Sequence, residues 1–162
     1  MAVDMFIKIE GKDIAGEAQD AEHEGEVDVL AWSWGATQSG TTHMGGGGGG
    51  GKVNVQDLSI TKYVDSASHA LFLDCCNGAH HATVTLTVRK AGDTPLEYLV
   101  LVMEDVMVTS VSTGGSGGED RLTENITFNF SRVSYKYTPQ KEDGSGDAVK
   151  ETGWNIAKNE VL

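Results

Sequence analysis

The chain has 162 residues, with 12 basic against 24 acidic side chains for a net charge of -12, and 39% hydrophobic residues, a size and balance that suit one domain spanning residues 1–162. No apolar stretch approaches the ~18 residues that a membrane-spanning helix needs, and so acidic a surface repels nucleic-acid phosphates and anionic lipid headgroups, so neither membrane insertion nor nucleic acid is expected. The start, Met1 to Phe6, carries an acid and no basic region ahead of an apolar one, which reads as no secretory signal peptide, and the neighbouring Cys75 and Cys76 offer no disulfide framework and suit a reducing compartment.

In chain order, Met5, Ile7 and Ile9 alternate on an N-terminal strand. From Glu26 to Gln38, Leu30, Trp32 and Trp34 fall on one face and Val27, Val29, Ala31 and Ser33 on the other, a pattern expected of a strand covered on both sides. Seven glycines, Gly45 to Gly51, then form a loop. Val53 and Val55 are out of phase with Leu58 and Ile60, which places a bulge near Gln56 and Asp57. Asp65-Ser66 is positioned to cap one helix of about three turns, with Ala67, Ala70, Leu71 and Cys75 on its inner side and Gly78 as its stop. Val84, Leu86 and Val88 against Thr83, Thr85 and Thr87 read as a half-buried strand. Leu96 to Val111 is a strand pair or one bent strand, and Ile126, Phe128 and Phe130 slip by one residue to Val133, Tyr135 and Tyr137. The fold class is therefore mainly β, a β-barrel-like arrangement of two packed antiparallel sheets with one short α-helix.

Catalytic and metal-binding patterns find little support. Gly46 to Gly51 followed by Lys52 nearly spells a phosphate-binding loop, but Val53 replaces the Ser or Thr that would ligate magnesium, and a strand follows where a helix N-terminus is required. Cys75, Cys76, His80 and His81 are metal-type ligands, yet adjacent side chains diverge, which suits a tetrahedral site poorly. His23, His43 and His69 lie apart, and spacing implies no acid-base partner for them. No nucleophile elbow and no His-Glu-x-x-His pair is present. No enzyme activity, cofactor or metal is expected.

Several stretches carry a family resemblance: Met1 to Ile9, Asp28 to Gly35, Lys52 to Ser59, and above all Val111-Ser112-Thr113-Gly114-Gly115-Ser116-Gly117-Gly118-Glu119-Asp120-Arg121-Leu122-Thr123-Glu124-Asn125. The chain resembles Hcp, the haemolysin-coregulated protein family of bacterial type VI secretion, as far as Gly153-Trp154-Asn155-Ile156, and departs from it most at Glu10 to Gly25, Ala67 to His81 and Glu142 to Glu151. The resemblance implies a tail-tube-like subunit of a homohexameric ring that stacks into a tube, is driven out by a contractile sheath together with its spike, and binds and chaperones effector proteins in its lumen. It also implies a virulence-associated protein made in the cytoplasm and then secreted without a signal peptide. A monomeric β-sandwich ligand-binding module is the alternative, with a hydrolase third. Ser33, flanked by two large tryptophans, is expected on the lumen wall in contact with cargo. The loop Thr41, Thr42, His43, Met44, Gly45, Gly46, Gly47, Gly48, Gly49, Gly50 and Gly51, which runs up to Lys52, is expected to dock on a neighbouring subunit or ring, since glycines build no local structure of their own.

Overall fold

A computed structural model of the chain describes residues 2–43, 45–46 and 49–162. Twelve strands and one helix follow in order: β1 (Val3–Glu10), β2 (Val27–Asp28), β3 (Ala31–Ser33), β4 (Ala36–Thr37), β5 (Asn54–Val55), β6 (Leu58–Tyr63), α1 (Ser68–Asn77), β7 (His80–Lys90), β8 (Leu96–Thr113), β9 (Thr123–Asn129), β10 (Arg132–Tyr137), β11 (Lys150–Asn155) and β12 (Glu160–Val161). Every pairing is antiparallel. Ten strands form one sheet, and β4 and β5 form a second, two-stranded one.

The long strand β8 is the frame. Its first half pairs with β10, its second half with β9, and β7 runs along the other side. Leu99, Leu101 and Met103 point inward, and after Asp105 the inward set becomes Val106 and Val108. Asp105 has φ 55°, a left-handed conformation that shifts the side-chain alternation by one and bends the strand. The sequence left a strand pair or a bent strand open here, and one bent strand is found. Opposite the bend, β9 gives way to β10 at Phe130 and Ser131, where the one-residue slip was expected.

The sheet curls because residues 27–33 change partner along their length. Val27 and Asp28 pair with β1, the Val29 N–H donates to the Met5 carbonyl and the Leu30 N–H to the Thr61 carbonyl, and Ala31–Ser33 pair with β6. The ladder is interrupted at this crossing, so the arrangement is barrel-like and not a closed barrel. The crossing also corrects the expected faces. Val27 and Val29 are buried while Leu30 is exposed, and Trp32 and Trp34 then pack against the core. Leu30 does not share the tryptophans' inward side, because the partner change costs the strand one step of its alternation. Gln56 and Asp57 likewise mark a change of sheet, from β5 to β6, where a bulge was expected.

Helix α1 ends as expected on Gly78, at φ 67°, whose N–H donates to the Asp74 carbonyl. Its cap is Ala67, not Asp65-Ser66. Asp65 stands two residues earlier and accepts from the Ala67 N–H at 2.9 Å, while the Ser68 hydroxyl oxygen accepts from the Asp65 N–H at 2.9 Å. Leu71 and Asp74 are buried, and Phe72 and Leu73 are 60% and 58% exposed.

Strand β7 is more than half-buried. Val84, Leu86 and Val88 enter the main core, but Thr87 and Arg89 on the opposite face are buried too. Residues 11–26, which form no strand, lie over that face as a strap. Its Ala18 and His23 are buried, and the His23 ring stacks on Phe6 at 4.4 Å. Gly16 lies so close to the start of β2 that a Cβ there would come within 2.5 Å of the Glu26 carbonyl oxygen.

Candidate functional surfaces

Ser33 is exposed on the outer face of β3, between Trp32 and Trp34, which both pack against the core. The registers place it in a row across four strands: Ser33 opposite Ser59, Ser59 opposite Thr127, Thr127 opposite Ser110. A second row runs Ala31, Thr61, Asn125, Ser112. Directly opposed residues of antiparallel strands share a face, so eight small, uncharged side chains pave this side of the sheet. One pair among them is hydrogen-bonded, the Thr61 hydroxyl donating to Asn125 Oδ1 at 2.7 Å. Other sheet surfaces differ. There Arg132 pairs with Glu104 at 2.6 Å, Lys136 with Glu151 at 3.8 Å and Lys8 with Glu10 at 3.3 Å.

The glycine loop forms a distinct feature. Strands β4 and β5 are the stem of a hairpin, and the hairpin continues past them. Gly40 bridges to Gly50, the Gly51 N–H donates to the Ser39 carbonyl, and the Thr41 hydroxyl donates to the Gly49 carbonyl at 3.0 Å. This corrects the expectation that the glycines build no local structure: main-chain pairing needs no side chains. Thr41, Thr42, His43, Gly45, Gly46, Gly49, Gly50 and Gly51 are all exposed. Met44, Gly47 and Gly48, named with them, lie outside the described residues. The base of this arm covers an apolar hollow of about 360 Å³ between Trp34, Val55, Val133 and Trp154, whereas Ser33 lines a separate, smaller one with Ala31, Ser59 and Thr61.

The metal-type residues do not converge. His81 is buried with Nε2 2.8 Å from Asp74 Oδ2, and the Lys12 ammonium donates to the other oxygen of Asp74 at 3.0 Å. His80 is exposed beside Asp105 at 2.9 Å. Cys75 packs against the core and Cys76 is exposed, both as free thiols. His23, by contrast, has the acid partners that its spacing did not imply: Nδ1 meets Glu26, and Nε2 lies 2.7 Å from Glu97 Oε1. Glu26 was within reach of a helical or turn reading, but Glu97 lies 74 positions beyond His23 along the chain and no local pattern announces it.

Arg89 organises the charges beside His23. It bonds Asp20 through both terminal nitrogens and Asp4 at 3.3 Å, and this contact holds the Asp20 carboxyl down at about 2. The same hydrogen bond to Asp20 pushes the guanidinium pKa up. Asp28, near them, is shifted the other way: burial raises its carboxyl pKa, and the carboxylate of Asp65 adds to the effect. Among the described residues, the hydrogen bonds of His23, His80 and His81 all run to carboxylates, and none joins an imidazole to a hydroxyl or thiol nucleophile.

The fold and the sequence agree with one set of relatives. Residues 6–137 match the family described as type VI secretion system effector, Hcp. The chain is 58% identical to Protein hcp1 of Pseudomonas aeruginosa over 162 residues, covering 98% of each. Among solved structures, one of a type six secretion system protein superposes with a TM-score of 0.92 at 29% identity, over 99% of this chain and 100% of that one. Hcp1 from Salmonella typhimurium gives 0.81 at 36% identity over the whole of both chains, and a type VI secretion system effector from Yersinia pestis gives 0.77 at 36%, over 94% of this chain and 100% of that one. No helix among the described residues is long and apolar enough to cross a membrane. With the match spanning strap, sheet, helix and arm alike, the chain belongs to the Hcp family of type VI secretion proteins.

Proposed function

We propose that this chain is the subunit of a type VI secretion tube: a homohexameric ring that stacks on further rings, holds effector proteins in its lumen, works with the spike and contractile sheath, and has no enzymatic activity of its own. It is made in the cytoplasm and leaves through the machine it builds. Full-length identity of 58% to an Hcp protein carries this reading. The paved face around Ser33 supports the lumen assignment. Permanent subunit contacts are apolar at their centre, whereas these two rows have no aromatic or large aliphatic anchor, which suits an occupant that must later be released.

The arm fits the role of a contact between neighbouring subunits or rings. It projects from a two-stranded stem, and its tip presents backbone that another chain can approach closely.

Light scattering of the purified protein tests the assembly: six times 17.2 kDa is expected, and a stable monomer at micromolar concentration refutes the ring. Ser33→Gln should leave that mass unchanged and impair retention of a small effector; loss of the ring would instead put Ser33 in a subunit contact. Shortening Gly46 to Gly50 should spare the ring and weaken stacking. Six chains at -12 give a ring of -72, so added salt should partly restore stacking by screening. Equal tube formation with and without those glycines would reduce the arm to a linker.

A further inference from the structure

The strap carries a side-chain cluster that the tube reading does not use. His23 is 7% exposed and its ring is fixed on both faces of the problem that a metal ligand must solve, orientation and tautomer. Stacking on Phe6 at 4.4 Å and 10° sets its plane. The carboxylate of Glu26, itself largely buried, engages Nδ1 and so directs the lone pair of the neutral ring to Nε2. A carboxylate behind an imidazole is the arrangement that orients metal-bound histidines and raises their basicity. Glu97 stands in front of Nε2 at 2.7 Å, and one ligand atom from each of His23, Glu97 and Glu22 lies within 4.8 Å of the others.

We propose that His23, Glu97 and Glu22 form a site for a divalent cation of the zinc class, with Glu26 as the outer partner of the histidine and solvent in the remaining position. Zinc takes N and O ligands at about 2.0–2.2 Å, and tetrahedral ligand atoms are then roughly 3.3 Å apart. The Nε2 to Oε1 spacing must therefore open slightly, and the Glu97 side chain, 41% exposed, is free to move.

Electrostatics favours the cation. Around the site stand the carboxylates of Asp4, Asp20, Glu22, Glu26 and Glu97, against one guanidinium, that of Arg89, which is already engaged by Asp20 and Asp4. Glu22 adds the argument that a plain hydrogen-bonded latch does not supply. It makes no hydrogen bond to the ring, its ion pair with Arg89 is long at 3.8 Å, and its 70% exposed side chain is free to bring a carboxylate oxygen in from its place within 4.8 Å of the other two ligand atoms. A bound ion would tie strap residues 22–23 to the start of β8 at Glu97.

The test uses the purified full chain in its assembled form, titrated with cobalt(II) as a spectroscopic stand-in and with zinc by calorimetry. One equivalent per chain is expected, with no thiolate-to-cobalt charge-transfer band, since Cys75 and Cys76 are not involved. His23→Gln should abolish stoichiometric binding. Glu22→Gln leaves the Glu26–His23–Glu97 hydrogen bonds untouched, so the strap stays folded, and the loss of a direct ligand should weaken binding by at least the roughly tenfold that losing an outer partner costs. No binding to the unaltered protein, a thiolate band, or affinities equal in all three proteins would overturn the proposal and leave His23 a structural latch alone.

Discussion

Lys62 is the side chain whose loss should be felt most. It is fully buried in β6 and its ammonium group is surrounded: it donates to the Tyr63 carbonyl at 2.9 Å, to the Ser68 hydroxyl at 3.0 Å and to Glu124, and it lies 3.0 Å from Asp65 Oδ1. These contacts join β6, β9 and the start of α1. Replacing Lys62 by Met keeps the volume and removes the charge. Glu124, 3% exposed, is then left with the Ser68 hydroxyl alone, at 2.6 Å. Removing one partner of a buried pair costs about 3–5 kcal/mol, because the other charge stays in the interior uncompensated.

For a chain of this length each kcal/mol shifts Tm by about 2–4 °C, so Lys62→Met should lower Tm by roughly 6–20 °C in calorimetry. Protein concentration must be matched between variants, since assembly raises apparent stability by mass action. Lys62→Met combined with Glu124→Leu removes both charges, and an apolar replacement of a buried pair is often close to neutral. Asp65 keeps its bonds to the Ala67 N–H and the Ser68 hydroxyl in that variant. The double variant should therefore recover most of the loss. A single variant losing less than about 1 kcal/mol, or a double variant losing the sum of both singles, would refute the view that the uncompensated carboxylate sets the cost.

Four further outcomes follow from the geometry. Asp105→Val should destabilise by about 1–2 kcal/mol, because a β-branched residue resists the left-handed conformation at the β8 bend, whereas Asp105→Gly should not; equal Tm values for the two would remove the bend from the explanation. Gly16→Ala should loosen the strap, read as faster amide exchange over residues 11–26, since a Cβ would meet the Glu26 carbonyl oxygen and Val27 Cα at 2.5 and 2.7 Å. Asp28→Asn should raise Tm at neutral pH: a carboxyl whose pKa is raised in the fold destabilises while ionised, and that deficit is relieved as pH falls through the raised value toward the unfolded one. Asp20 has the opposite sign. Its pKa of about 2 means that its contact with Arg89 stabilises above the unfolded value near 3.9 and is lost as pH falls toward 2, which carboxyl chemical shifts will follow.

How much of this was legible depends on where each burial comes from. The strands β7 and β8 show in the sequence because one face of each enters a common core, and period two reports that directly. The second buried face of β7 does not show, since Thr87 and Arg89 are covered by a strap that has no period. Lys62 and Glu124 are separated by 62 positions, and each reads locally as an ordinary polar residue on an alternating strand. The arm failed for a different reason. Composition says that glycine contributes no side-chain packing, but Gly40, Gly50 and Gly51 pair through their main chains, about which composition is silent. Ser33 was legible as pointing away from the two tryptophans that flank it, and it is exposed while they pack against the core.

Charge links the strap, the paved face and the arm. Residues 10–28 hold eight acids and one lysine, giving -7 of the total -12, while residues 29–55, which contain β3 and the whole arm, hold no acid and the single base Lys52. The proposed six-chain ring would carry -72 and would resist stacking if its carboxylates faced one another at contact distance. Screening at physiological salt, however, acts over about 8 Å, so repulsion between exposed charges matters only where acids meet across an interface. Concentrating them on the strap and keeping them off residues 29–55 leaves a neutral patch and a neutral arm on an acidic body. An acidic body keeps free subunits apart and in solution, and under the proposed assembly the uncharged arm could approach a neighbouring subunit through main-chain hydrogen bonds without bringing acids together. The segregation is what a chain needs if it must stay soluble before assembly and then assemble onto itself.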